Sequence, residues 1–202
     1  MIEKEQVIYW ISNNQGKKLA TLNLKDKMYR FWSPHSSKLA AAISNGLEIF
    51  PFFKKTHILY IDPNNSINVN HLLNIIGKEG KIYLQSKKYN NSLENQKILS
   101  PNLEYIVDDN SKKIKKVDLM YIDLPNENFY QIIEDYEKFL KNEGFIIFIV
   151  NSAEFFKSTS SDDTQMNLYN SLKSRYNILQ EVFLDEFFKK QTLIIAQFIN
   201  KN

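Results

Sequence analysis

The stretch His57-Ile58-Leu59-Tyr60-Ile61-Asp62-Pro63-Asn64-Asn65-Ser66 carries the pattern closest to chemistry in this chain. An apolar run ends at Ile61, turn-forming residues follow at once, and a helix-compatible stretch extends from Ile67 to Ile76. In nucleotide-type α/β sheets that strand–turn–helix order holds a cofactor, because glycines allow close backbone approach and the helix start offers N–H groups. No glycine stands in this turn. Asp62 adds a negative charge and Pro63 removes a backbone donor. The turn therefore has the place of a cofactor loop without its usual chemistry.

Few other residues compete for a chemical role. His35, His57 and His71 are scattered without metal-ligand spacing, and there is no cysteine, so no metal site is expected and thiolate chemistry is excluded. The densest basic cluster is Lys112, Lys113, Lys115 and Lys116, which reads as a solvated loop between two strands more than as a phosphate contact. Asp108-Asp109-Asn110 has the composition of a strand-end turn. A net charge of +3 over 202 residues is too small to identify a nucleic-acid binder. The start, MIEKEQ, has no basic region leading into an apolar stretch, and no apolar run approaches the roughly 18 residues of a membrane span. A cytoplasmic protein without membrane contact is the expectation.

The elements that must position these residues follow from periodicity. Val7–Ser12 and Lys18–Leu24 flank Asn13-Asn14-Gln15-Gly16, a hairpin pattern that predicts a small N-terminal β element over residues 1–28. Residues 29–202 read as a single α/β domain. It opens with Ser36-Ser37 before the alanine-rich Lys38–Ser44 and with Gly46 after it, the start and stop signals of a helix. Strands are predicted at Ile58–Ile61, Lys81–Gln85, Leu103–Val107, Asp118–Ile122 and Phe145–Val150. Helices are predicted at Ile67–Ile76, Ser92–Leu99 and Phe129–Leu140. Alternation of this kind implies a parallel sheet covered on both faces. A helix at Gln165–Ser174 and two directly joined strands, Ile178–Leu184 and Thr192–Phe198, complete the chain. Five parallel strands closed by an antiparallel hairpin form the seven-stranded, Rossmann-like sheet of class I methyltransferases, with helices on both faces.

One family shares these residues. Tyr29-Arg30-x-Trp32-x-Pro34-x-x-Ser37-Lys38-Leu39-Ala40-Ala41-Ala42-Ile43 resembles the YRxWxPxRSKLAAAI signature of fibrillarin-like RNA 2′-O-methyltransferases in their archaeal-sized form. Gly16-Lys17-Lys18-Leu19-Ala20-Thr21-x-Asn23-Leu24 is similar to that family's N-terminal hairpin, with a shorter segment between Leu24 and Tyr29. Leu59-Tyr60-Ile61 resembles the VLYLG strand, His71–Gly77 resembles HVSDIIG, and Val117-Asp118-x-x-Tyr121-x-Asp123 matches VDxxYxD. The resemblance spans nearly the whole chain.

It implies an S-adenosylmethionine loop of the form GAxxGTT at Asp62-Pro63-Asn64-Asn65-Ser66-Ile67-Asn68. Asp62 and Ser66 stand in place of glycines and Ile67 in place of a threonine. The acid expected to hold the ribose aligns with Ser86, whereas Asp109 remains where the family has an acid near the adenine. The resemblance also implies a Lys-Asp-Lys-His group that orients and deprotonates the ribose 2′-hydroxyl. Lys38 and Asp123 match its first two members; Asn151 and Gln191 replace the last two with neutral amides.

These substitutions predict a catalytically inactive subunit that binds no cofactor and pairs with a Nop-domain scaffold protein in a box C/D-type RNA–protein assembly. The alternative is an active S-adenosylmethionine-dependent RNA 2′-O-methyltransferase with a rearranged site, drawing on Lys189 or Lys190. A general RNA-binding assembly factor is a third reading. Tyr29 and Trp32 read as core packing or a base-stacking platform, and Phe187 and Phe188 as a protein contact or packing over the sheet edge.

Overall fold

The computed structural model describes residues 8–14, 16–23, 25–61, 67–85, 100–106, 110–123, 129–151 and 172–199. Strands β1 (Ile8–Asn13) and β2 (Gly16–Asn23) form the expected hairpin, with Asn13 opposite Gly16. Gly16 turns the chain with φ of +107°, a conformation that favours glycine. A third strand, β3 (Met28–Phe31), adds antiparallel to β2 and makes a three-stranded sheet instead of a hairpin. Its Met28, Tyr29 and Phe31 are exposed, so no apolar alternation betrays it; β2's open edge decides the pairing. The expected boundary between residues 28 and 29 falls inside this strand.

Helix α1 (Lys38–Ser44) starts where Ser37 Oγ accepts the Ala40 N–H at 3.0 Å. It ends at Asn45 and Gly46, whose φ of +91° lets Leu47 N–H return to the Ala42 carbonyl at 3.0 Å. Ala40, Ala41 and Ala42 are fully buried, and their small side chains let α1 lie close to the main sheet.

That sheet has the order β6-β5-β4-β7-β8-β10-β9. Parallel strands β4 (His57–Ile61), β5 (Lys81–Gln85), β6 (Leu103–Ile106), β7 (Val117–Ile122) and β8 (Leu140–Asn151) are closed by the antiparallel pair β9 (Tyr176–Phe183) and β10 (Gln191–Phe198). The fold is thus the seven-stranded class I methyltransferase sheet. Helix α2 (Ile67–Ile76) has the predicted bounds. Helix α3 (Phe129–Tyr136) is shorter than predicted: a 3-10 turn over Glu137–Phe139 follows, and Leu140 already belongs to β8. Glu143 sits at φ +59° in this entry to β8, and the register against β7 shifts between Val117 and Leu119. Such an irregular pairing has no period to read. Residues 172–175 are helical; the rest of the predicted 165–174 helix and the whole of 92–99 lie outside the described residues.

Two apolar clusters cover the sheet's two faces. Trp32, α1 and α2 pack on Ile58, Tyr60, Leu119, Tyr121, Ile147 and Leu193, while Ile132 and Ile133 of α3 pack on Leu59, Met120, Ile146 and Phe148. Among the described residues no helix is long and apolar enough to cross a membrane.

Candidate active site

The chain leaves β4 toward β5 and β6 on one side and returns to β7 on the other, so the strand order reverses between β4 and β7. Ligands in open α/β sheets bind outside the carboxyl ends of the strands at this point. Ile61 ends β4, and Asp123, one residue past β7, donates its N–H to the Ile61 carbonyl at 3.2 Å. The Asp123 side chain is therefore delivered to the crevice by main-chain pairing.

Lys38, the first residue of α1, meets it there. Its ammonium donates to Asp123 Oδ1 and to the Asp123 carbonyl, both at 3.0 Å, and both side chains are nearly fully buried. Among the described residues two of the three donors of the ammonium are used, which leaves one to offer a ligand oxygen. Tyr60 Oη donates to Asp123 Oδ2 at 2.7 Å, and Asn68 Nδ2 approaches the same oxygen at 3.3 Å. Asn68 Oδ1 in turn accepts from Trp32 Nε1 at 3.2 Å and from Ser37 Oγ. A buried carboxylate is tolerable only when paired and hydrogen-bonded, and this one is both.

Tyr60 stacks on Tyr121 with ring centroids 4.7 Å apart. Burial, reinforced by the Asp123 charge, raises both phenol pKa values well above the usual tyrosine range. Both rings therefore stay neutral, and Tyr60 acts on Asp123 as a proton-bearing donor. Neither tyrosine was singled out above for a role in the site. For Tyr60 the signal was present, since a tyrosine in a buried strand needs a partner for its hydroxyl, and Asp123 supplies it. Asn68 was readable in the same way. It shares a stripe of α2 with Leu72 and Ile75, where an amide has to be satisfied within the core.

The two amide substitutions lie on the same face. Asn151 ends β8 and is opposite Gln191, the first residue of β10. Strand alternation puts them with Ile149, Ile147, Leu193 and Ile195 on the side covered by α1. The four expected positions thus lie toward the same edge of the sheet as two pairs, Lys38 with Asp123 in direct contact and Asn151 opposite Gln191. Lys189 and Lys190 are exposed in the turn before β10, and the Lys190 N–H is held by Asp185 at 2.9 Å. Asp62, Pro63, Asn64, Asn65, Ser66, Ser86 and Asp109 lie outside the described residues; Ile67 opens α2.

Among the described residues, three buried side-chain atoms toward this edge have no hydrogen-bond partner: Gln85 Oε1 at the end of β5, Tyr121 Oη late in β7, and Gln191 Oε1 at the start of β10. A buried polar atom left alone is costly, so unmatched atoms along a ligand edge fit a crevice made for a polar molecule. The described residues are compatible with a nucleoside-type cofactor here.

The remaining candidates have structural roles. Trp32 is 1% exposed and stacks on His71, centroids 4.6 Å apart, so it is core and not a platform; Tyr29 is exposed and packs edge-on against Tyr9. His71 Nδ1 shares a 2.8 Å hydrogen bond with Thr21 Oγ1, and burial pushes the imidazole down to about 4 against a smaller opposing effect of the Phe31 carbonyl. Lys112, Lys113 and Lys115 are exposed, while Lys116 Nζ ties down the Lys138 and Leu140 carbonyls at 2.8 and 3.3 Å. Phe187 and Phe188 pack partly against the core. No cluster of metal-binding side chains is present among the described residues.

Known proteins agree with this architecture. The fibrillarin family profile matches residues 3–200. A fibrillarin-like rRNA/tRNA 2′-O-methyltransferase of Pyrobaculum islandicum is 28% identical over 193 residues, covering 86% of this chain and 79% of that protein. The structure of Aeropyrum pernix fibrillarin with natively bound S-adenosyl-L-methionine superposes with a TM-score of 0.82 at 22% identity, covering 96% of this chain and 95% of that one. A fibrillarin in complex with Nop5p superposes with a TM-score of 0.76 at 22% identity, covering 96% and 98%. With a profile match over nearly its full length and the same fold, the chain belongs to the fibrillarin family.

Proposed function

We propose that this protein is an S-adenosylmethionine-dependent RNA 2′-O-methyltransferase whose chemistry rests on the Lys38–Asp123 pair and that works with a Nop-domain partner. The observation that carries the reading is that buried pair at the topological switch point, with one ammonium donor unused among the described residues. The family membership and the named activity of the Pyrobaculum relative support the reaction. The Aeropyrum and Nop5p structures support the cofactor and the partner. When bound, the cofactor supplies an electrophilic methyl group; Gln85 and the start of α2 would lie against it. Lys38 orients the ribose hydroxyl and its charge favours the developing oxyanion. Asp123 holds Lys38 and is the carboxylate positioned to receive the hydroxyl proton.

The test is transfer of labelled methyl to guide-matched RNA in the presence of the Nop-domain protein. Asp123→Ala and Lys38→Ala are each expected to lower kcat by at least about a hundredfold, while calorimetry still detects cofactor binding. Full activity in either variant would refute the assignment of the pair.

A second reading, an inactive subunit kept for its binding surface, draws on Asn151 and Gln191. Facing each other on β8 and β10, they put two groups that do not titrate where the family motif carries two bases. Absence of cofactor binding by calorimetry, together with retained binding to the Nop-domain protein, would favour it over the active enzyme.

A further inference from the structure

Asn68 is the second residue of α2. A primary amide offers two donors and two acceptor positions, and this one uses all four. Nδ2 donates to Tyr60 Oη at 3.0 Å and to Asp123 Oδ2 at 3.3 Å; Oδ1 accepts from Trp32 Nε1 and Ser37 Oγ. The side chain is 1% exposed, so each bond is made away from water. The two donors hold the carboxylate end of the Lys38–Asp123 pair. The two acceptors hold the lysine end, because Ser37 immediately precedes Lys38 and caps its helix. One planar group on α2 thereby fixes both halves of the pair. A threonine, which the family motif has at this place, carries one donor and could not hold Tyr60 and Asp123 together.

We propose that Asn68 is the positioning residue of the Lys38–Asp123 pair, setting the orientation of the carboxylate for methyl transfer. The inference rests on the reading that this pair performs the chemistry, and its test is built to fail separately from that reading. In the unliganded protein, NMR at neutral pH follows the Asp123 carboxyl carbon and the Trp32 indole N–H in wild type, Asn68→Ala and Asn68→Thr. Asn68→Ala is expected to move the Asp123 resonance and to speed exchange of the indole proton at least roughly tenfold, in line with loss of a buried hydrogen bond. Backbone protection across α1 should persist. Asn68→Thr should move both signals less, and it carries the same comparison if the alanine variant does not fold. An unmoved Asp123 resonance overturns the proposal, whether or not the protein transfers methyl groups.

In the methyl-transfer assay with the Nop-domain protein, Asn68→Ala should lower kcat by about 10- to 100-fold and leave the KM for RNA within about twofold, as misplacement of a reacting group does. Partial rescue by Asn68→Thr is expected. An effect confined to KM overturns the positioning role. Absence of transfer by the wild type would refute the functional reading, and the NMR comparison then decides the geometry alone.

Discussion

Lys38 and Asp123 place two opposite charges in a site from which water is almost excluded, and that is stable only while both are present. Removing either partner leaves the other uncompensated, so Asp123→Ala should destabilise the protein by about 3–5 kcal/mol in urea unfolding. The double variant Lys38→Met/Asp123→Leu should recover most of that stability and none of the activity, because a buried ion pair contributes little net stabilisation over an apolar pair of similar size. His71 gives a second prediction at this scale. The imidazole titrates near 4 in the folded chain against 6.5 for an unperturbed histidine, so the unfolded chain binds more protons across that window. The contribution is therefore fully present above pH 6.5 and is lost as pH falls toward 4, by up to roughly 3 kcal/mol at about 1.4 kcal/mol per unit. Unfolding of wild type and His71→Gln at pH 7 and pH 4 should show this as a steeper acid loss in the wild type.

Helix α1 is short, and its direction decides where Lys38 points. Ser37 fixes that direction twice, by capping the Ala40 N–H and by bonding to Asn68. Ser37→Ala should cost about 1–2 kcal/mol in thermal unfolding. It should also reduce methyl transfer, because the helix start that carries Lys38 loses its tie to α2. The N-terminal sheet acts on the same element from the other side. Trp32 N–H bonds to the Leu19 carbonyl at 2.8 Å, and the Trp32 ring stacks on His71 within the apolar cluster that also holds the buried face of α1. The three-stranded sheet is thus part of the mounting of the site and shares its core.

For the molecule as a whole, the insertion of β10 between β8 and β9 sets the face of the sheet beside α1. It brings Gln191 beside Asn151 and buries Ile147 and Ile149 of β8 against Leu193 and Ile195. Ile146→Ala, at a fully buried position on the sheet face opposite Lys38 and Asp123, should destabilise by about 2–5 kcal/mol while leaving kcat close to wild type where the variant remains folded. Urea unfolding and the methyl-transfer assay check the two halves of that expectation independently. A global loss of stability would thereby be distinguished from damage to the Lys38–Asp123 pair.

The hairpin, the cap of α1, the span of α2 and the alternation of the parallel strands were legible in the sequence, because each is set by neighbouring residues: Asn and Gly at a turn, Ser before alanines, a period of two or 3.6. β3 and the early start of β8 were not, since one follows from an open edge and the other from an irregular register. The matches of Lys38 and Asp123, and the replacements at Asn151 and Gln191, were also visible in the order of residues. The sequence by itself thus determined the architecture, the family and the glycine-free turn at Asp62–Ser66. Only the tertiary structure decided that Lys38 and Asp123 form a buried pair, with Tyr60 and Asn68 holding the carboxylate. The physical reason is that a buried charge is governed by partners distant in sequence, from α1, β4, α2 and β7, which meet only when the sheet and its helices have packed.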